Sequence, residues 1–154
     1  MKGFKRSSGV LLPVFSLPSN YGIGTIGKAA YDFIDFLHSA KQAYWQILPV
    51  GSTGFGDSPY RSFSTYAGNP YFIDLDLLIK DGLISKEDVD GFDWGNDPEK
   101  IDYGKIYSAK FAILEMAYKN GIEKDREKYE KFKEENRSWL GDYSLFMAVK
   151  KHFD

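Results

Sequence analysis

Cysteine is absent from this 154-residue chain, and histidine occurs only twice, at His38 and His152. Without a thiol the chain has neither a disulfide framework nor a thiolate metal site, and two isolated histidines do not form a ligand set with plausible spacing. We therefore expect no bound metal, and we interpret both histidines as ordinary helix residues.

Excess charge and long apolar runs are also missing. The formal net charge is -2 and the pI is about 5.7, so the chain has no basic surface for a phosphate backbone and nucleic acid is not an expected partner. No stretch approaches the roughly 18 to 20 apolar residues that span a bilayer. The basic start resembles a signal peptide, but Pro13 interrupts its apolar run and no small-residue cleavage site follows, so a cytoplasmic location is expected.

What is present is an ordinary globular composition, with 43% hydrophobic and 27% charged residues. This balance is typical of one domain with a real core. No internal repeat, low-complexity tract or linker divides the chain, so we treat residues 1–154 as one segment. The sequence predicts no particular oligomeric state.

Two apolar runs flank an amphipathic helix near the start of the chain. The runs are GVLLPVF at 9–15 and AYWQILPV at 43–50, and nearly continuous apolar runs of this length are typical of strands that are buried on both faces. Helical spacing between them predicts a helix over 26–39. Its apolar stripe comprises Ile26, Ala30, Phe33, Ile34 and Leu37. Strand, helix and strand together predict a parallel βαβ unit over 9–50.

Helices are predicted for most of the remaining chain, from about 76 to 154. Ser85 precedes Lys-Glu-Asp as a helix cap, and a helix over 103–120 is expected to end at Gly121 in a left-handed conformation. A charged segment at 123–135 is typical of a solvated helix, and an amphipathic helix follows from about Asp142. The stripe of the helix at 103–120 comprises Ile106, Lys110, Ile113 and Ala117.

The segment GIGTIG at 22–27 matches the G-x-G-x-x-G pattern of dinucleotide-binding proteins. The stretch that separates it from the first strand is too long for the tight turn, and the end of the second strand has no acid for a ribose hydroxyl. A nicotinamide-dependent oxidoreductase therefore remains a minor hypothesis. The alternative is that the glycines permit sharp turns before the helix.

Five of the six aromatic rings in the loop 51–75, GSTGFGDSPYRSFSTYAGNPYFIDL, lie among glycines and small hydroxyl residues. They are Phe55, Tyr60, Phe63, Tyr66 and Tyr71. These rings follow no helical or strand period, whereas a sugar ring stacks on an aromatic face while hydroxyls and amides bind its O–H groups. The pattern favours a glucan ligand. The alternative is a satellite hydrophobic cluster under the loop, which we favour for Phe63 and Tyr71.

Catalytic groups are not evident. The sequence has no Ser/His/Asp set, no H-E-x-x-H and no Walker lysine. Glycoside chemistry with retention needs two carboxyl groups about 5 to 5.5 Å apart, and no such pair can be named. Asp57, in the middle of the loop, is at least as suited to a hydrogen bond with the turn backbone as to contact with a substrate.

These segments together resemble the N-terminal part of the 4-alpha-glucanotransferases, the amylomaltase or disproportionating-enzyme family. The resemblance runs through SSGVLLPVFSLPSNYGIGTIG, FIDFL, WQILPVG, GDSPY, SFST, AGNPYFIDL, IDYGK and WLGDYSLFMAVK. It implies an α/β fold, namely the first part of a (β/α)8 TIM barrel with a helical insertion after the second strand. It also implies transfer of a 1,4-alpha-D-glucan segment to the 4-hydroxyl of an acceptor sugar, with retention and without a cofactor.

The resemblance also suggests roles for the loop. Tyr60 and Ser58 are expected to contact the sugar, Phe55 to stack where relatives often have tyrosine, and Asp57 to belong to the same motif and hold the loop. The catalytic carboxylates of the family are expected beyond Asp154, so the barrel is expected to be incomplete and this chain alone inactive. The alternative is a noncatalytic alpha-glucan-binding module that uses the aromatic loop. In both cases Tyr60 must be accessible.

Overall fold

The computed structural model describes residues 6–54 and 56–153. This part of the chain contains two short strands and six α-helices. The strands are β1 (Gly9–Leu11) and β2 (Tyr44–Gln46). The helices are α1 (Lys28–Ser39), α2 (Leu75–Lys80), α3 (Lys86–Asp90), α4 (Tyr103–Gly121), α5 (Arg126–Glu135) and α6 (Leu140–Phe153). Two 3-10 turns span Val14–Ser16 and Pro70–Phe72.

The two strands pair in parallel, with α1 between them in the chain. Gly9 lies opposite Tyr44, and Leu11 lies opposite Gln46. A parallel pair requires a crossover connection, and α1 supplies it. The parallel βαβ arrangement that the sequence predicts is therefore observed.

The prediction that these strands occupy the apolar runs at 9–15 and 43–50 and are buried on both faces is wrong. Each strand has three residues, and the side chains of Leu11 and Tyr44 are 56% and 65% exposed. Pro13 cannot donate to the ladder and begins the 3-10 turn at Val14–Ser16. Within the described part of the chain the two strands pair only with each other, so much of their apolar surface stays open.

Helix α1 covers the sheet with a narrower stripe than predicted. Ala30 and Leu37 are buried, and the Phe33 ring meets Trp45 of β2 edge to face with ring centroids 5.1 Å apart. Ile34 is exposed, because a sheet of two short strands contacts only one edge of the helix. The predicted stripe member Ile26 also lies exposed, before the first turn of α1.

The interior consists of two hydrophobic clusters joined by α4. One lies under the loops around α1 and comprises Val14, Leu17, Ile23, Ala30, Tyr71, Phe72 and Ile106. The other lies between α2, α3 and α4 and comprises Tyr21, Leu75, Ile84, Val89, Ile113 and Ala117. The four members of the predicted α4 stripe are all buried, which confirms that stripe.

Lys110 is the charged member of the α4 stripe, and its side chain is completely buried. Its Nζ donates a hydrogen bond to the backbone carbonyl of Ile73, near the end of the aromatic loop. Burial lowers the pKa of Lys110 to about 8, although the nearby Asp74 carboxylate acts in the opposite direction. Lys110 thus ties α4 to the end of the loop.

The helix ends match the sequence signals in one case and not in another. Ser85 caps α3 as predicted, because its Oγ accepts from the Asp88 N–H while the Asp88 carboxylate accepts from the Ser85 N–H. Gly121 is not a left-handed cap, since it is the last residue of α4 and is followed by Ile122 in a right-handed conformation. A Cβ on Gly121 would lie 2.8 Å from Leu83 Cδ2, so close packing explains the glycine.

Helices α5 and α6 lie at the surface. Neither contains a buried residue, and for α5 this agrees with the solvated helix expected from its charges. Helix α6 begins at Leu140, two residues before the predicted start at Asp142. No described helix combines the length and the apolar character that crossing a membrane requires.

Candidate functional site

The aromatic loop follows β2 and closes on itself. Isolated antiparallel bridges join Gly51 to Gly68 and Thr53 to Ser62, and the Asn69 N–H donates to the Val50 carbonyl at 2.8 Å. We call 51–53 the first arm, 54–61 the tip and 62–68 the second arm. Because the loop continues from the carboxyl end of a parallel strand, it lies on the side of the sheet where α/β barrels place their sites.

The end of the loop is fixed by Asn69 and Tyr71. The buried Asn69 side chain accepts from the Tyr71 N–H at 3.0 Å, and this caps the 3-10 turn. The Tyr71 ring is buried, with the rings of Tyr103 and Phe111 about 6 Å away. The prediction that Tyr71 packs under the loop is confirmed.

The turn at the tip is built from Gly56 and Asp57. Both have left-handed backbones, with φ of 85° and 50°, and the Asp57 N–H donates to the Gly54 carbonyl at 3.0 Å. Aspartate is one of the few residues other than glycine that adopt this conformation readily. Asp57 therefore has a structural role in the turn, whatever else its carboxylate does.

The Asp57 carboxylate is half-buried beside Tyr71 and Tyr103, and the three residues line one small cleft. Burial raises the pKa of Asp57. Burial and then the Asp57 charge raise the pKa of Tyr71 to about 12, and the same two causes raise the pKa of Tyr103. The carboxylate thus lies under the tip, where it supports the loop.

Tyr60 and Ser58 form the open part of the tip. The Tyr60 side chain is 73% exposed, and its N–H donates to Ser58 Oγ at 3.4 Å. The Arg61 N–H donates to the Ser58 carbonyl at 3.1 Å, which closes a turn around Tyr60. An accessible ring on the same turn as a hydroxyl side chain matches the stacking and hydrogen-bonding needs of a sugar. The predicted position of Phe55 lies outside the described residues.

The second arm packs against α6. The rings of Phe63 and Phe146 are 5.6 Å apart, and Tyr66 stacks on Trp139 at 5.7 Å with an interplanar angle of 18°. Phe63 therefore packs on a neighbouring ring, but it does so against α6 and stays 39% exposed, so the predicted burial under the loop is not observed. The Tyr66 ring contacts Trp139 yet stays largely exposed.

The sequence did not indicate which residues in and just before α6 reach the loop. They are Trp139, just before α6, and Tyr143 and Phe146 within it. The Tyr143 hydroxyl donates to Ser52 Oγ at 3.1 Å. The spacing of four and then three residues places all three on one face of a helix. That signal was present, but nothing in the sequence indicates that this face meets a loop 91 residues away.

A separate groove lies apart from the tip. It has a volume of about 420 Å³, and Tyr60 and Ser58 do not line it. Its walls are mostly apolar side chains such as Ile26, Ile73 and Leu77. Sugar hydroxyls need more hydrogen-bonding partners than such walls offer, so the tip is the better candidate site.

The glycines of GIGTIG are explained by packing. A Cβ on Gly24 would lie 2.1 Å from the Val14 carbonyl oxygen, and a Cβ on Gly27 would lie 1.9 Å from Asp74 Oδ2. The Asp74 carboxylate, which accepts from Thr25 Oγ1, therefore sits at the start of α1. A pyrophosphate would need that position and would be repelled by the carboxylate. The dinucleotide hypothesis has no support in this geometry.

Within residues 6–54 and 56–153 no group of three or more His, Cys, Asp or Glu residues is arranged to hold a metal ion. The one carboxylate at the tip, Asp57, is directed under the loop, beside Tyr71 and Tyr103. The tip thus presents an exposed aromatic ring and a single carboxylate.

The described residues form an α/β chain in which an aromatic loop follows a parallel strand. Its sequence matches the profile of the 4-alpha-glucanotransferase family over residues 12–154. The chain belongs to the 4-alpha-glucanotransferase family.

Individual relatives agree with this assignment. The chain is 52% identical to a 4-alpha-glucanotransferase of Streptococcus pneumoniae over 97% of its own length and 30% of that protein. It is 53% identical to the Clostridium butyricum 4-alpha-glucanotransferase over 92% of its length and 29% of that protein. Among solved structures, the amylomaltase from Streptococcus agalactiae in complex with acarbose is 47% identical, with a TM-score of 0.92 over 97% of this chain and 30% of the other. The chain thus spans about 30% of the length of these relatives.

Proposed function

We propose that this chain supplies the glucan-contacting loop of a 4-alpha-glucanotransferase. The reaction transfers a segment of a 1,4-alpha-D-glucan to the 4-hydroxyl of an acceptor glucose or glucan, with retention of configuration. The carrying observation is the accessible Tyr60 ring, on the same turn as the Ser58 hydroxyl, in a loop that follows a parallel strand. Family membership and the acarbose complex of the S. agalactiae relative support an alpha-glucan as the ligand.

Within this proposal the tip binds sugar and does not break bonds. Tyr60 stacks on a glucose ring, Ser58 donates a hydrogen bond to a sugar hydroxyl, and Phe55 adds a second stacking surface. Asp57 holds the turn from below. No cofactor takes part, and the protein acts in the cytoplasm.

The catalytic carboxylates belong to the larger part of the relatives that this chain does not match. A retaining reaction needs two carboxyl groups that face one glycosidic bond. Asp57 has no carboxylate facing it at the tip, and its position beside Tyr71 and Tyr103 turns it away from the open side. We therefore expect this chain alone to be inactive.

The proposal places β1 and β2 as the first two strands of a (β/α)8 barrel. The unit at 9–50 would form the first βαβ of the barrel, 51–75 the substrate loop and 76–154 a helical insertion. The parallel pairing and the exposed apolar side chains of both strands support this arrangement, because barrel strands are covered on both sides by neighbours and by layers of side chains.

The experiment is a chimera in which residues 12–154 replace the matching region of the C. butyricum relative. We expect the chimera to disproportionate maltotriose, and Tyr60→Ala to lower kcat/KM by at least about tenfold, since one stacking surface is lost. Tyr118→Ala is the matched control, because Tyr118 is exposed on α4. Equal activities of the Tyr60→Ala and Tyr118→Ala chimeras would refute the role of Tyr60.

The isolated chain provides a second check. Substantial turnover of maltotriose by these 154 residues alone would show that catalytic groups lie within them. The proposal that the catalytic carboxylates lie in the unmatched part of the relatives would then be wrong.

A noncatalytic alpha-glucan-binding module remains the second candidate. It is favoured by one observation, namely that the arms of the loop close through hydrogen bonds and bridges within this chain. Affinity electrophoresis through amylose separates the two functions. Retention that Tyr60→Ala abolishes, together with an inactive chimera, would favour the binding module.

A further inference from the structure

Helix α6 is unusual because it has no buried residue and yet contacts both arms of the aromatic loop. Its contacting side chains follow one another at helical spacing on a single face. They are Trp139, just before the helix, Tyr143, Phe146 and Lys150. A helix that were merely a solvated surface element would not need three aromatic residues on one face.

The side chains of α6 and Trp139 contact the two arms of the loop separately. On the first arm, Ser52 Oγ accepts from the Tyr143 hydroxyl, and Ser52 itself is buried. On the second arm, Phe63 packs between the Phe146 ring and the Lys150 ammonium, which lies 5.7 Å from its centroid. The third contact, between Tyr66 and Trp139, is nearly parallel stacking.

The hydrogen bonds within the loop fix its shape but not its direction. The bridges join one arm to the other, and the bond from Asn69 to Val50 closes the base. Such a closed loop is still able to swing about its base as a unit. The contacts with α6 reach the arms above that base, so they oppose swinging together with Asp57, which lies beside Tyr71 and Tyr103 at the tip.

We propose that Trp139, Tyr143 and Phe146 are positioning residues, which hold the arms so that Tyr60 at the tip is presented to the glucan. This inference rests on the proposed function for its glucan, but the holding of the loop is testable without any sugar. None of the three residues is proposed to touch substrate; they act through Ser52, Phe63 and Tyr66.

Arg61 provides a direct readout, because it lies exposed beside Tyr60 and its peptide bond to Ser62 is a trypsin site. We expect Phe146→Ala and Trp139→Ala to speed cleavage after Arg61 by about tenfold, as each removes one aromatic contact that must break before the loop opens. The urea midpoint of the whole chain should hardly change, because α6 buries no residue.

Phe153→Ala is the matched control. It is the same substitution on the same helix, at a residue that is 80% exposed, and it should leave cleavage after Arg61 at the wild-type rate. The conservative variant Trp139→Phe should restore slow cleavage, because a ring still stacks on Tyr66. Tyr143→Phe removes only the hydroxyl that binds Ser52, and it tests the first arm if an alanine variant fails to fold.

The outcome that overturns the inference is cleavage after Arg61 at one rate in Phe146→Ala, Tyr143→Phe and Phe153→Ala. Amylose retention, measured on the same variants, separates this inference from the proposed function. If cleavage accelerates as expected but the wild-type chain and the chimera neither bind nor convert glucan, the loop is held by α6 and the proposed function is wrong. If glucan binds while cleavage is unaffected, the function stands and the positioning role is wrong.

Discussion

The helical part of the chain, from α2 to α4, buries apolar side chains that the two-stranded sheet leaves exposed. In the helical part, Leu75, Val89 and Ile113 are completely buried, because each amphipathic helix needs a partner on one face only. In the sheet, Leu11 and Tyr44 remain largely exposed, because a parallel strand that is apolar on both faces needs cover on both. The helical part therefore buries its apolar side chains through its own contacts, whereas the apolar surface of the sheet needs further neighbours to cover it.

The sharpest test of this contrast compares two leucines. Leu75→Ala should lower the free energy of unfolding by about 3 kcal/mol, since a fully buried leucine leaves a cavity. Leu11→Ala should cost less than about 1 kcal/mol, since that side chain is 56% exposed. Urea unfolding followed by circular dichroism measures both.

Two results would break the comparison between the helical part and the sheet. Equal losses for the two leucines would mean that the sheet is as well packed as the helices. A larger loss for Leu11 would reverse the roles of the two regions.

A smaller effect on the free energy of unfolding is expected from Lys110, the buried charged residue of the helical part. The pKa of Lys110 is lowered to about 8 in the folded chain, against about 10.4 when unfolded. Between these values the unfolded chain binds more protons, so the stability contributed by this residue rises with pH and the cost of burying its charge disappears. From pH 8 to pH 10 the free energy of unfolding should rise by about 2 kcal/mol relative to Lys110→Met.

The Lys110→Met reference removes other pH effects from this measurement. Tyr71 has a raised pKa because of burial and then the Asp57 charge, so its contribution falls as pH rises above the unfolded value of about 10. This fall affects both variants alike and cancels in the difference. A difference that stays flat from pH 8 to pH 10 would show that Lys110 keeps an ordinary pKa.

Local sequence signals predicted much of the fold. The capping box at Ser85 and the stripe from Ile106 to Ala117 are set by residues three or four positions apart, and both were found. Parallel pairing also followed, because an amphipathic helix between two apolar runs leaves few alternatives.

What sequence could not predict depends on contacts between distant segments. The glycine at 121 leaves room for Leu83. Its place at the end of a predicted helix had suggested a left-handed cap instead. The strands are exposed because cover depends on partners and not on their own pattern. At the site, the accessibility required of Tyr60 was found, whereas the support from Tyr143 involves Ser52, 91 residues away.

Hydrogen–deuterium exchange with and without maltoheptaose tests the central claim most directly, because it compares all regions of the chain in one measurement. We expect the sugar to slow exchange in residues 56–61 of the tip and in the arms that carry it, while β1, β2 and α4 exchange unchanged. Slowed exchange confined to the apolar groove around Ile26, Ile73 and Leu77, with the tip unaffected, would contradict the assignment of Tyr60 and its loop as the glucan contact.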